Sequence, residues 1–221
     1  MEICHFSPDC FISKSQPELL SAARQAQVRG IGWPTGFVLE NRDESRPRPT
    51  NDGIVATVNA DIPFSPGHLF AYWTLTKSGD FYTLMSLSED HRDEDRAHRT
   101  IYFDARIVRA AEALLHCANL YKILGIEPSA HIDMTVRYGG LKGRTLAPAS
   151  LEMVYHGGGE NSYEDEVSIP TITFKLGGMQ AEMVELVKKL CEPLFVIFDY
   201  AEISNEDYRK IVTDFVNGKI T

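Results

Sequence analysis

FAYWTLT and FYTLMSL alternate apolar with polar side chains on either side of Lys77-Ser78-Gly79-Asp80. A period of two around a glycine-bearing turn predicts an antiparallel hairpin over 70–87. Tyr72, Trp73, Phe81 and Tyr82 suit its pleated, half-buried surface. IVATV, 54–58, predicts another strand through its β-branched residues. GIGWPTGFVLE predicts an irregular strand, because Pro34 and the glycines favour an edge or a bulge. HIDMTVRY and LEMVYH predict two strands joined by the turn GGLKGRTLAPAS, and HGGGENSYEDE an acidic, glycine-rich loop. VSIPTITFKL predicts an edge strand, since Pro170 cannot donate to a ladder.

Helical periods appear elsewhere. Ser15-Gln16-Pro17-Glu18 has the form of a capping box and opens a short helix to about Val28. After the short strand IYF, the run DARIVRAAEALLHCANLYKILG predicts a long helix over 104–124. Asp104 stands at its amino end, Gly125 terminates it, and its apolar arc is wide enough to bury most of its circumference. Met179 to Glu192 predicts an amphipathic helix stopped by Pro193, while the period of LFVIF selects neither helix nor strand. Ser204 to Asp207 caps a last helix that ends before Gly218.

Hairpins on both sides of a long helix, with helices closing the chain, define an α+β fold. A mainly antiparallel sheet is expected, with the long central helix and the carboxyl-terminal helices packed on it. The expected organisation is an amino-terminal helical segment over 1–28 and a single α+β domain over 29–221.

Composition narrows the function. Of the residues, 43% are hydrophobic and 24% charged, an ordinary globular balance. The net charge is −9, so phosphate backbones are repelled and direct nucleic-acid binding would need a local basic patch. No apolar run approaches the roughly 20 residues of a membrane span. MEICHFSPDCFISK lacks a basic region leading into an apolar one, and a cytoplasmic location is expected. Cys4, Cys10, Cys117 and Cys191 show no paired spacing, which suits free thiols. A zinc site on Cys4, His5 and Cys10 lacks a nearby fourth ligand. No metal and no cofactor are expected.

Several motifs fail on spacing. HGGG, 156–159, resembles an oxyanion-hole loop, yet the nucleophile pentapeptide G-x-S-x-G is missing. GIGWPTG cannot open a helix toward a pyrophosphate, because it contains Pro34 and leads into the strand-like FVL. YGGLKGRTL lacks Walker spacing. EDHRDEDRAHR, 89–99, pairs its carboxylates with its own arginines and reads as a solvated connector.

Two constellations carry chemistry. Arg109, Glu112, His116 and Asn119 share one stripe of the long helix. The stripe is either that helix's solvent face or the lining of a cleft with His116 as proton carrier. The second gathers Arg46 and Arg48, on the stiff run RPRP, with Asn51 and Asp52 of the following turn and with Arg137, Lys142 and Arg144. All lie in or beside turns that can reach one end of a sheet. Arginine forks suit phosphate or carboxylate, and proline lowers the entropy of presenting them.

GWPTGFVL, RPRPTNDGIVATV, SLSED, YFDARIVRAAEALLHCANLYKILG, GGLKGR and CEPLFVIFDY together resemble a carboxyl-terminal module of bacterial regulators described as DNA-binding or ATP-binding. In those proteins the module follows an AlbA-like domain of the Schlafen type. The resemblance spans Gly32 to Gly218. About thirty residues precede GWPTG, too few for the AlbA-like domain, so its nucleic-acid binding does not carry over. The resemblance implies a regulatory or sensor module of a bacterial stress or antiviral system. The expectation is therefore a non-enzymatic binding module that works through a protein partner or a second copy of itself, with an anionic, phosphate-bearing ligand. The alternative is an enzyme whose cleft, lined by Arg109, Glu112 and His116, takes a phosphorylated or nucleotide-like substrate.

Overall fold

The computed structural model describes residues 1–28, 30, 34–40, 43–61, 68–91, 98–149 and 161–219. Period-two burial begins at the amino terminus, where Cys4 and Phe6 are buried between half-buried neighbours. That pattern makes a strand, β1 (Glu2–Pro8). It pairs antiparallel with β5 (Phe81–Met85) on one side and β7 (His131–Gly139) on the other. Residues 1–28 are thus not a helical segment apart from the domain. Only Gln16–Ala26 is helical (α1), and β1 lies in the middle of the sheet.

From β7 outward in one direction lies β10 (Ile172–Lys175), with β9 (Glu166–Ser168) also pairing β7. Beyond β5 follow β4 (His68–Thr76), β3 (Gly53–Asp61) and the two-residue edge strand β2 (Arg48–Pro49). Every pairing in this sheet is antiparallel. The expected α+β class is the observed one. The hairpin over 70–87 forms, its two strands in register from Ala71–Met85 to Leu75–Phe81. VSIPTITFKL splits into β9 and β10, separated by Ile169 to Thr171 around Pro170. A separate parallel pair joins β6 (Thr100–Tyr102) to β8 (Thr145–Ala147), within the stretch expected to be a turn.

Other elements differ from expectation. Residues 34–40 form turns and coil rather than a strand, although Phe37 is buried. LEMVYH and HGGG lie outside the described residues. The long helix α2 runs from Phe103 to Ile123, and Tyr102 rather than Asp104 is its cap residue. The Asp104 carboxylate instead accepts the Ala149 amide, at 2.9 and 3.1 Å. The next helix, α3 (Met183–Phe195), carries Pro193 in its last turn and continues past it. Loss of one amide donor is tolerable there because the apolar face of α3, including Leu190, Leu194 and Phe195, is buried. The last helix, α4 (Asn205–Val216), starts as expected, with the Ser204 hydroxyl accepting the Asp207 amide at 3.1 Å.

α2 touches α1, α3 and α4, and α3 touches β7, β9 and β10. The helices therefore cover the sheet face that presents Cys4, Phe6, Trp73, Phe81 and Met134. Wide burial of α2 follows, as its apolar arc requires. Its Tyr121 hydroxyl donates to the carbonyls of Phe6 (3.2 Å) and Gly79 (3.0 Å), pinning the helix to the sheet.

Burial also sorts the thiols. Cys4, Cys117 and Cys191 are buried and Cys10 is half-buried. Burial pushes the Cys4 thiol up to about 12 and raises Cys117 and Cys191 as well. Thiolates carry the reactivity of cysteine. Titration of the native protein with an aromatic disulfide reagent at pH 8 should consume one thiol rapidly, at Cys10. Four should react in 6 M guanidinium, and fast reaction of three or more in the native state would contradict this packing.

Candidate functional site

The basic residues expected to converge are split across the sheet. Arg48 lies on β2, and Arg137 on β7; β3, β4, β5 and β1 stand between those strands. At about 4.8 Å per strand the separation is roughly 24 Å. Arg137 pairs with Glu166 across the β7–β9 ladder. Lys142 is exposed in the turn after β7. Arg144 is not a surface ligand contact: it is 3% exposed, and its guanidinium grips both Asp90 oxygens, at 2.6 and 2.9 Å. Its Nε donates to the Gly140 carbonyl at 2.5 Å.

RPRPTNDG itself forms the end of the sheet. Thr50 and Gly53 close a tight turn, with the Thr50 amide donating to the Gly53 carbonyl at 2.8 Å. The Asn51 carbonyl accepts the Lys77 ammonium at 2.9 Å, and the Asp52 carbonyl accepts the Lys77 amide at 2.7 Å. Asn51 and Asp52 thus anchor the turn through their backbone. Arg48 donates to the Asp43 carbonyl at 2.9 Å, and the Arg46 guanidinium lies 4.0 Å from the Asp43 carboxylate. Arg24 of α1, which pairs with Glu40, completes the rim of a groove of about 360 Å³. Leu20, Pro47 and Pro49 give that groove an apolar floor. Arg24 was invisible as a partner in the sequence because it is distant from RPRP along the chain.

Three residues of the α2 stripe are buried, and only Asn119 at its carboxyl-terminal end is exposed. Arg109, Glu112 and His116 are 5%, 0% and 0% exposed. Arg109 pairs with Glu112 at 2.8 Å, and the other Glu112 oxygen accepts the Thr35 amide at 2.5 Å. The turn at Thr35 and Gly36 therefore covers Glu112 and His116. Gly36 has φ 64°, and a Cβ there would lie 2.5 Å from His116 Cε1. Only glycine fits that approach. His116 Nδ1 lies 3.2 Å from the Ala26 carbonyl, which can only accept, so Nδ1 carries the proton. Nε2 then faces the core without a hydrogen-bond partner among the described residues. Burial lowers the His116 pKa to about 4, with the Arg109 charge adding to the effect against the Ala26 bond.

A larger charge network sits beside the amino end of α2. Arg106, 1% exposed, bonds Glu2 of β1, Glu89 at 2.7 Å and the Ser88 hydroxyl at 3.2 Å. Glu89 and Asp90 are 1% and 6% exposed, so the start of EDHRDEDRAHR is not a solvated connector. Residues 92–97 lie outside the described residues. Burial alone would raise the Asp90 carboxyl, but the Arg144 fork and charge, helped by the His98 amide, hold it below its ordinary value. The sequence held one signal for this network. Arg106 is embedded in ARIV on an apolar arc, and a buried arginine requires an acidic partner.

No protein-family profile, curated protein or solved structure matches the chain.

These geometries predict two stability effects. Arg106→Leu should cost about 3–5 kcal/mol in urea unfolding, because it strands Glu89 as a buried charge. Adding Glu89→Leu should restore most of that loss, and a single variant as stable as wild type would refute the network. His116 titrates at about 4 when folded, against 6.5 as its ordinary value. Between those pH values the unfolded chain takes up a proton that the folded one refuses. Stability from this residue is full above about pH 6.5 and declines as the pH falls toward 4, by roughly 3 kcal/mol in all. Unfolding curves of wild type and His116→Gln should diverge in slope across that window; parallel pH profiles would rule it out.

Proposed function

We propose that the chain is a non-enzymatic binding module that recognises an anionic group, phosphate or carboxylate, at the β2 edge of its sheet. The observation that carries this reading is the groove lined by Arg46 and Arg48, in which the third arginine, Arg24, is already paired with Glu40. Arg46 is 60% exposed and only loosely approached by Asp43, so its fork is open to a ligand. The rigid prolines hold the two arginines out at low entropic cost. The turn behind them is fastened by Lys77 and by Gln16, whose amide donates to the Thr50 carbonyl at 3.0 Å. The resemblance of RPRPTNDGIVATV and its companion stretches to the regulatory module supports a role inside a regulatory assembly, with a protein partner presenting the anion. The enzyme alternative loses its support, because Arg109, Glu112 and His116 are enclosed by the protein and engaged with it.

Inorganic pyrophosphate serves as the probe. Titrated at low salt, it should shift the side-chain signals of Arg46 and Arg48. Changing both to alanine removes two charge-assisted contacts of about 1.5–3 kcal/mol each and should weaken binding about a hundredfold or more. Raising the salt to 0.5 M should mimic the loss. The melting temperature should barely move. A lower melting temperature with unchanged pyrophosphate affinity would assign the arginines to bracing the loop at Asp43 instead.

A further inference from the structure

Strand alternation gives the sheet two unlike faces. Fully buried residues point to the helical layer, and partly exposed ones alternate with them on the other face. Register assembles that outer face. Leu84 stands between Tyr72 and Ile3, and Tyr82 between Thr74 and His5. Its middle is therefore aliphatic and aromatic, with the Tyr72 and Tyr82 rings edge-to-face at 6.2 Å. A solvated sheet face ordinarily presents polar side chains instead. Both margins are polar, with Thr57 and Asn59 on β3 and Thr135 and Arg137 on β7. An apolar centre within a polar rim is the anatomy of a protein interface.

We propose that this face joins two copies of the chain, sheet against sheet, about a two-fold axis along β5. Following the strand order, the axis places β5 over its counterpart, β1 over β4 and β7 over β3 of the second copy. In register, Leu84 then meets Leu84, Ile3 meets Tyr72 and Arg137 meets Thr57, so apolar faces apolar and polar faces polar. The area suffices. The five strands from β3 to β7 are five to nine residues long. At about 4.8 Å between strands and about 3.4 Å per residue they present roughly 24 by 26 Å. Pairing would cover about 600 Å² on each copy, or about 1,200 Å² in all, which reaches the size of a specific interface. The sheet edges offer no such alternative. β2 has two residues and ends in Pro49, and β10 has four, with Pro170 ahead of it and Lys175 at its end. Charge also argues against a polyanion on this face, because the chain carries −9 and Arg137 is already paired with Glu166.

Sedimentation equilibrium of the full chain should show a dimer that dissociates in the micromolar range. Leu84→Glu places like charges opposite each other where β5 meets its counterpart, and should weaken association about a hundredfold or more. Tyr82→Thr keeps a good strand former and should weaken it about tenfold. If Leu84→Glu fails to fold, Tyr82→Thr decides alone. Val196→Glu, in the groove between α3 and α4, should leave the dimer unchanged. Salt at 0.5 M should not dissociate it, since apolar burial holds it, whereas the same salt removes anion binding at Arg46 and Arg48. A wild-type chain that stays monomeric at 100 µM overturns the proposal. So does a dimer undiminished in Tyr82→Thr, lost in Val196→Glu, or dissolved by salt.

Discussion

Buried arginines hold the two layers of this protein together. Arg106 projects from α2 and bonds Glu2 of β1 and the Ser88-Glu89 turn that follows β5. Three segments from distant parts of the chain thus meet at one guanidinium. Next to it, Arg144 joins Asp90 to the Gly140 carbonyl, tying that same turn to the end of β7. A charge removed from water must be matched by partners of opposite charge, so these contacts admit one arrangement of strand and helix. The hydrophobic effect, which has no direction, would not choose among the many ways of laying α2 on the sheet.

The central position of β1 depends on the same network. β1 supplies both a ladder to β5 and β7 and the Glu2 carboxylate, so the sheet is incomplete until the first residues are in place. Around it, Phe6 stacks on Phe81 at 4.7 Å and meets Tyr121 edge-on at 5.5 Å. The coil at 34–40 then closes the layer, with the Phe37 carbonyl accepting the Trp73 indole at 2.7 Å and Thr35 satisfying Glu112. A stripe with the makings of catalysis is thereby enclosed within the fold.

The open grooves lie at the periphery of the fold. The β2 edge illustrates how one sequence feature serves two ends. Proline and charge on an edge strand discourage pairing with another chain, and the same residues rim a groove with Arg24. The groove between α3 and α4 has the opposite character, with Pro193, Phe195, Val196, Ala201 and Ile203 in its lining and Glu192 and Glu202 at its border. The two grooves differ in charge and in the elements that build them.

Local pattern made several elements legible. Period-two alternation with a glycine turn located the 70–87 hairpin, the alanine- and leucine-rich run located α2, and Ser204 located α4, because each signal is complete within a few neighbouring residues. The edge arginines were legible for the same reason: RPRP is stiff wherever it sits. Tertiary structure alone decided the rest. β1 is a short strand whose stability comes from neighbours more than seventy residues away, and no local period reveals that. The stripe at Arg109, Glu112 and His116 has the spacing of a polar face, yet the turn at Thr35 and Gly36 covers it. The acidic start of EDHRDEDRAHR stands beside arginines of its own run, while in the fold Glu89 and Asp90 answer Arg106 and Arg144. Burial of a charge is set by the partner that long-range packing delivers, and the sequence records both partners without recording that they meet.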